Sequence, residues 1–310
     1  MNRAKVVKHL WRRLWRNYSR RVEYARIYQQ MIEAAGGEAA NDHIAFRSLR
    51  LTVDTADGAI NLGIPYLANI IEALGYTAAG EYEFPDQALY ARHYRHPQQD
   101  RFDLPKIFIS ELIVEALPSA IAQLIIQTVS SGQFYNWKSL QHQIEAVINE
   151  PDNSSESLVD QLQPIFTRPW PPPKQSVVET VNSISQYGAW VLLHGYAVNH
   201  FTGYINRQQT PLYPDIESTA KGLAERGIPM KADIEGDRGS GLRQTATRAV
   251  TEKVTVEEDH SGRLIQIPWT YAYYEIAERN LIEADSGQPQ LFEGFLGPQA
   301  RNLFEMTQKR

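Results

Sequence analysis

The chain has 310 residues, enough for one large domain or two small ones around a buried core. Hydrophobic residues make up 43%, charged residues 22%, and the net charge is -5, so overall charge gives no reason to expect nucleic acid or an anionic membrane as partner. There is no cysteine, which excludes disulfides, thiolate metal sites and a cysteine nucleophile.

The first 26 residues carry nine Lys or Arg against one acid, Glu23, and Leu10, Leu14, Tyr18, Val22 and Ala25 fall on one helical stripe. A cationic amphipathic helix serves as a transit peptide or a membrane-surface element, or packs on its own domain with a solvated basic face. The pattern runs without a break to Met31 and Ile32, which favours packing. No apolar run approaches the ~18 residues of a membrane span. With no signal peptide visible, the expected location is the cytoplasm.

Residues 42–49 (Asp-His-Ile-Ala-Phe-Arg-Ser-Leu) alternate as a strand does, and residues 199–205 (Asn-His-Phe-Thr-Gly-Tyr-Ile) open the same way. Each is followed by a helical segment that stops at a glycine, Tyr66 to Leu74 before Gly75 and Ile216 to Glu225 before Gly227. A short strand-like piece comes next, Gly80 to Asp86 in the first half and Met230 to Asp237 in the second. Each half closes on a strand introduced by proline, Leu104 to Glu111 and Ile267 to Glu275. This order predicts an α+β fold in which two β-α-β-β-β repeats form a curved sheet around a cleft. One catalytic domain would then contain an N-terminal helix (1–40), a first repeat (41–117), a helical insert (118–188), and a second repeat with the C-terminal segment (189–310). The insert holds Arg168-Pro-Trp-Pro-Pro-Pro-Lys, a stiff connector because proline lacks the N–H of helix and sheet.

Eight histidines are present. His9 and His142 lie among polar helical residues, and His93 and His96 belong to a basic stretch expected at the surface or in a turn. His194 precedes Gly195 at the end of an apolar helical run. His43 and His200 stand apart because they occupy equivalent positions in the two repeats, on strands expected to line the cleft. Glu275 ends a run of aromatic and small residues, where an unpaired carboxylate is costly. Two imidazoles and one carboxylate with open positions form the ligand set of non-haem iron(II). The residues alone also allow Glu275 to pair with a cation such as Arg279, with both histidines as hydrogen-bonded core groups. Arg47 shares a strand face with His43, about 13 Å away at ~3.3 Å per residue. An arginine there suits a substrate that chelates a metal at one end and offers a carboxylate at the other. Pairing with a structural acid is the alternative.

Four segments, Asp42-His43-Ile-Ala-Phe-Arg47, Asn199-His200-Phe-Thr, Gly-Leu-Arg-Gln244-Thr-Ala-Thr and Tyr273-Tyr-Glu275-Ile-Ala-Glu-Arg, together resemble the 2-oxoadipate dioxygenase/decarboxylase (2-hydroxyglutarate synthase) family. Its fold is similar to that of the vicinal oxygen chelate superfamily. The likeness runs from the N-terminal helix to Phe292-Glu-Gly-Phe, and His-Ile-Ala-Phe-Arg is its most specific part. The resemblance implies Fe2+ held by His43, His200 and Glu275, with Arg47 binding the substrate; Gln244 is a further substrate-binding candidate, with backbone pairing as its alternative. It also implies that a 2-oxo dicarboxylic acid, 2-oxoadipate, reacts with O2 to give 2-hydroxyglutarate and CO2, with no separate reductant. Tyr271, Tyr273 and Phe201 are the expected apolar wall. Longer relatives carry extra sequence after the glutamate ligand, part of which shapes the pocket, whereas 35 residues follow Glu275 here, so the metal centre should carry over better than the identity of the substrate. Two other readings share the fold. One is a glyoxalase-type isomerase or lyase holding Zn2+ or Ni2+, with Glu111 as repeat-equivalent of Glu275 and second carboxylate. The other is a metal-free module that binds a small acid.

Overall fold

The structure, a computed structural model, describes residues 3–56, 58–149, 155–283 and 287–296. Its strands are β1 (Asn41–Arg50), β2 (Thr52–Thr55), β3 (Gly58–Asn61), β4 (Thr77–Phe84), β5 (Leu89–Arg95), β6 (Lys106–Ile113), β7 (Val198–Tyr204), β8 (Leu242–Ala246), β9 (Thr251–Glu257), β10 (Leu264–Thr270), β11 (Glu275–Arg279), β12 (Leu281–Glu283) and β13 (Pro289–Leu291). Seven of them build a curled half-barrel sheet in the order β4-β5-β6-β1-β7-β11-β8, and the others form two-stranded ribbons.

The sheet carries the expected two-repeat symmetry. β1 and β7 run antiparallel at its centre, with His43 opposite Thr202 and Ala45 opposite His200. Each has beside it the closing strand of its own repeat in parallel, β6 or β11, and then an antiparallel strand, β5 or β8. The symmetry fades at the outer edge. β4 pairs along its length with β5, but its expected counterpart, Met230 to Asp237, forms no continuous ladder with β8 and has the isolated bridges Met230–Thr247 and Glu235–Gln244 in its place. Gly236, at φ +88°, turns that segment away from an extended path.

The closing strand of the second repeat is also split. β10 leaves the main sheet to pair with β9, Tyr271 to Tyr274 bond to Val250 and Thr247, and β11 begins at Glu275. Glu275 therefore opens a strand instead of ending one.

The helices are α1 (Arg3–Arg21), α2 (Glu23–Ala34), α3 (Ile64–Ala73), α4 (Gln99–Phe102), α5 (Ser119–Val129), α6 (Trp137–Asn149), α7 (Ser155–Leu162), α8 (Gln175–Ile184), α9 (Gln186–His194) and α10 (Ile216–Glu225). The N-terminal helix breaks at Val22, whose φ of -108° and ψ of 87° are not helical. Its apolar stripe packs on the sheet, with Trp15 and Tyr18 each 5.1 Å from the Phe201 ring of β7. Arg21 lies 3.5 Å over Tyr271 and pairs with Glu252 at 2.6 Å, so part of the basic face is structural. α3 and α10 end at Gly75 and Gly227, both with left-handed φ, as the sequence predicts. α10 begins with an Asp215–Ser218 capping box, whereas α3 has no polar cap of its own. Its first amide is satisfied from the sheet: Ile64 N donates to Oε2 of Glu111 at 2.7 Å, while Arg50 Nε donates to Oε1 at 2.5 Å. α5 to α9 fill the chain between β6 and β7, with α9 running past the expected end of the insert at 188, and the proline-rich stretch crosses them as irregular chain, pinned by Trp170 Nε1 donating to Leu192 O at 2.8 Å. Among the described residues, no helix is long and apolar enough to cross a membrane.

Candidate metal centre

Strand alternation sends Phe201 towards α1 and His200 to the opposite face. The β1–β7 ladder shifts register between Ala45–His200 and Phe46–Val198, which leaves Asn199 bulged. Asn199 and His200 consequently line the same pocket, facing His43.

Nε2 of His43 lies 3.3 Å from Nε2 of His200 and 3.4 Å from Oε1 of Glu275. One ligand atom from each of the three residues falls within 4.8 Å of the others, and all three side chains are buried. Nδ1 of His43 is 2.8 Å from Oδ2 of Asp42, and Nδ1 of His200 is 3.1 Å from Oδ1 of Asn199. Those acceptors place the ring proton on each Nδ1, so both Nε2 atoms turn a lone pair towards one point beside a carboxylate. Thr202 sits between them, its hydroxyl 3.0 Å from His43 Nε2 and 3.1 Å from Glu275 Oε1, and it has one proton to share. Burial keeps both imidazoles neutral, His200 most strongly, and pushes the Glu275 carboxyl up to about 8. Two imidazole lone pairs and a carboxyl that burial makes costly to ionise alone suit a cation, and two neutral imidazoles with one carboxylate suit a divalent one.

The outer partners are equally ordered. Burial works to raise the Asp42 carboxyl, but Arg279 and Lys106 hold it well below the usual carboxylate range. Arg279 donates to it twice, Nε to Oδ1 at 2.5 Å and Nη2 to Oδ2 at 2.8 Å. Arg279 is thus the partner of Asp42 and not of Glu275. An imidazole anchored by a carboxylate in this way is typical of metal-ligating histidines.

A pocket opens beside these atoms, walled partly by Phe46, Phe108 and Tyr273. Arg47 and Gln244 line it together with His43 and His200. The Arg47 guanidinium is buried over the rings of Tyr187 and Trp190, 4.8 and 5.1 Å from their centroids. Gln244 exchanges backbone hydrogen bonds with Glu235, and its amide donates to the Glu235 carboxylate at 3.4 Å.

The sequence profile of the 2-oxoadipate dioxygenase/decarboxylase family matches residues 8–307. The chain belongs to this family. It is 30% identical over 294 residues to a chloroplastic/amyloplastic 2-oxoadipate dioxygenase/decarboxylase of Oryza sativa subsp. japonica, covering 88% of this chain and 70% of that protein. Its fold resembles the crystal structure of hydroxyglutarate synthase from Oryza sativa in complex with 2-oxoadipate, with a TM-score of 0.74, 22% identity, and coverage of 98% and 93% of the two chains. It also resembles a Ralstonia eutropha JMP134 structure described as a glyoxalase superfamily protein, with a TM-score of 0.81, 23% identity, and coverage of 96% and 88%.

Within this 2-oxoadipate dioxygenase/decarboxylase fold, register corrects one expectation. Ala45 lies opposite Phe108, and Thr202 lies opposite Glu275. Superposing the repeats on their histidines therefore makes Phe108, and not Glu111, the counterpart of Glu275. Glu111 is instead engaged by Arg50 and the start of α3. Of the three expected wall residues, only Tyr273 lines the pocket, stacked 4.7 Å from His200. Tyr271 packs on Trp190 and His194, and Phe201 packs under α1. Phe108 and Phe295 complete the wall, with Phe295 edge-on to His43 at 4.7 Å.

His93 is buried, against expectation, because β5 is an interior strand, whereas His96 lies in the turn after β5, buried edge-on to Tyr76. His93 lies 2.9 Å from the Tyr82 hydroxyl, and burial lowers it to about 4. His194 does end α9, packed on Trp190. Sequence reasoning missed Asn199, Thr202, Phe108 and Phe295. Thr202 was within reach, since it follows His200 by two residues on the same strand face.

Proposed function

We propose that this chain is an Fe2+-dependent dioxygenase that converts 2-oxoadipate and O2 to 2-hydroxyglutarate and CO2. The observation that carries the reading is the convergence of two lone-pair Nε2 atoms and the Glu275 carboxylate beside a pocket that also contains Arg47. The family name supports the substrate, and the Oryza sativa structure of like fold holds 2-oxoadipate. The reaction balances without another reductant: a six-carbon oxo diacid plus O2 equals a five-carbon hydroxy diacid plus CO2.

Iron(II) bound here would supply a Lewis-acid anchor for the 2-oxo acid and a means of activating O2. His43, His200 and Glu275 would hold it, while Asp42 and Asn199 keep the proton on each Nδ1 and fix ring orientation. Arg47 would grip the far carboxylate through two parallel N–H donors in a site with little water to compete. The free amide hydrogens of Asn199, whose Nδ2 is buried in the described structure without a protein acceptor, are suited to a substrate oxygen. Gln244 is placed for a similar contact. Phe108, Tyr273 and Phe295 would exclude water from the reacting end.

Product analysis tests the proposal. Fe2+-loaded protein given 2-oxoadipate should form 2-hydroxyglutarate in air and nothing under strict anaerobiosis. Turnover of the oxo acid without O2 would sink the dioxygenase reading.

A further inference from the structure

A single guanidinium reaches both the histidine end of the candidate metal centre and the chain that covers the pocket. Arg279, the last residue of β11, is 1% exposed. Its Nε and Nη2 hold the Asp42 carboxylate, whose Oδ2 also takes the His43 Nδ1 proton. Its Nη1 donates to the carbonyls of Phe292 at 3.0 Å and Gly294 at 2.8 Å. Those carbonyls belong to a strap, Phe292 to Leu296, whose last two residues line the pocket. Two further ties run the same way. Phe295 N donates to the Tyr82 hydroxyl at 3.0 Å, and Lys106 pairs with Glu293 of the strap at 2.8 Å while lying 3.9 Å from Asp42.

We infer that Arg279 is a positioning residue that couples seating of the strap to metal ligation through His43. The inference rests on the metal reading above. The guanidinium is rigid and planar, so one rotamer must satisfy the carboxylate on one side and the two carbonyls on the other. With Asp42 held in a fixed plane, the His43 ring is held too, its Nε2 aimed at the site. Losing the strap removes the Nη1 acceptors and frees the fork; losing the fork frees the strap. Linkage makes the effect reciprocal: if a seated strap tightens metal binding, bound metal must protect the strap by the same factor.

Hydrogen exchange on the intact chain reads this directly, with Zn2+ as a redox-inert probe. Zn2+ should slow exchange of the strap amides, Phe292 and Phe295 among them, about fivefold or more relative to chelator-treated protein. Arg279→Lys should raise the Zn2+ dissociation constant by roughly 10–100-fold and abolish the Zn2+-dependent protection. Phe295→Ala removes the ring that touches His43 but keeps both carbonyl bonds, so metal-dependent protection should persist. Should Arg279→Lys fail to fold, Asp42→Asn breaks the same link from the other side and should show both losses. Zn2+ that binds wild type without protecting the strap overturns the coupling alone. So does protection that survives Arg279→Lys or vanishes in Phe295→Ala, which would assign it to ring packing. Absence of Zn2+ binding to the wild type overturns the metal reading and the coupling with it.

Discussion

Replacing Glu275 by glutamine should stabilise the metal-free protein in neutral and alkaline solution, although it removes a proposed ligand. Burial pushes the Glu275 carboxyl from its ordinary 4.5 up to about 8. One pH unit of displacement corresponds to 1.36 kcal/mol, so the full gap is worth about 5 kcal/mol. The sign follows from linkage. Below 4.5 the carboxyl is protonated in both states and costs nothing. Between 4.5 and 8 the unfolded chain gives up the proton while the native state keeps it, so stability falls as pH rises. Above about 8 both states are ionised and the loss levels off. Glu275→Gln carries no such term, and other groups cancel in the difference between the two proteins. Urea unfolding of chelator-treated wild type and variant, from pH 4.5 to 9, measures it. The variant should gain on the wild type by several kcal/mol across that range and then hold level. Adding Zn2+ at 100 times its dissociation constant should close most of the gap at pH 7.5, since the wild type gains about 2.7 kcal/mol against a deficit of about 4 kcal/mol there. Stability differences that stay constant with pH would refute the account of Glu275 as a buried acid awaiting a cation.

His43→Ala and His200→Ala should each abolish tight Zn2+ binding in a calorimetric titration, and metal content that survives both substitutions would remove the proposed centre. Arg47→Lys should leave metal binding intact and weaken 2-oxoadipate binding by roughly 1–3 kcal/mol, because a point charge replaces a two-donor fork; equal loss of metal and substrate would make Arg47 structural. Glu111→Gln should lower stability by about 1–3 kcal/mol through the weakened contacts to Arg50 and α3. Its metal affinity should be unchanged, and a loss there would restore Glu111 as a second carboxylate ligand.

The centre of the sheet was the most legible part of the fold. β1 and β7 carry the same opening residues, each is followed by a helix that stops at a glycine, and that repetition singled out His43 and His200 from six other histidines. What the sequence could not settle was decided by pairing between distant segments. Ile267 to Glu275 reads as one strand, but β9 captures its first part, so Glu275 ends up at the start of a new one. Glu111 matched Glu275 by spacing from a proline, yet ladder register assigns that place to Phe108. His93 looked exposed because its neighbours are basic, while alternation along β5 turns it inward. Arg279 stood as a possible partner for Glu275 four residues before it. Its real partner, Asp42, is 237 residues away, a distance no local pattern spans.

In the proposed reaction, O2 consumption is coupled to loss of one carboxyl group. An oxygen electrode run alongside CO2 capture, with anaerobically loaded Fe2+ protein and limiting 2-oxoadipate, measures it most directly. One O2 should be consumed for each CO2 released and each 2-hydroxyglutarate formed. CO2 release without O2 uptake, or O2 uptake that leaves 2-oxoadipate intact, would contradict it.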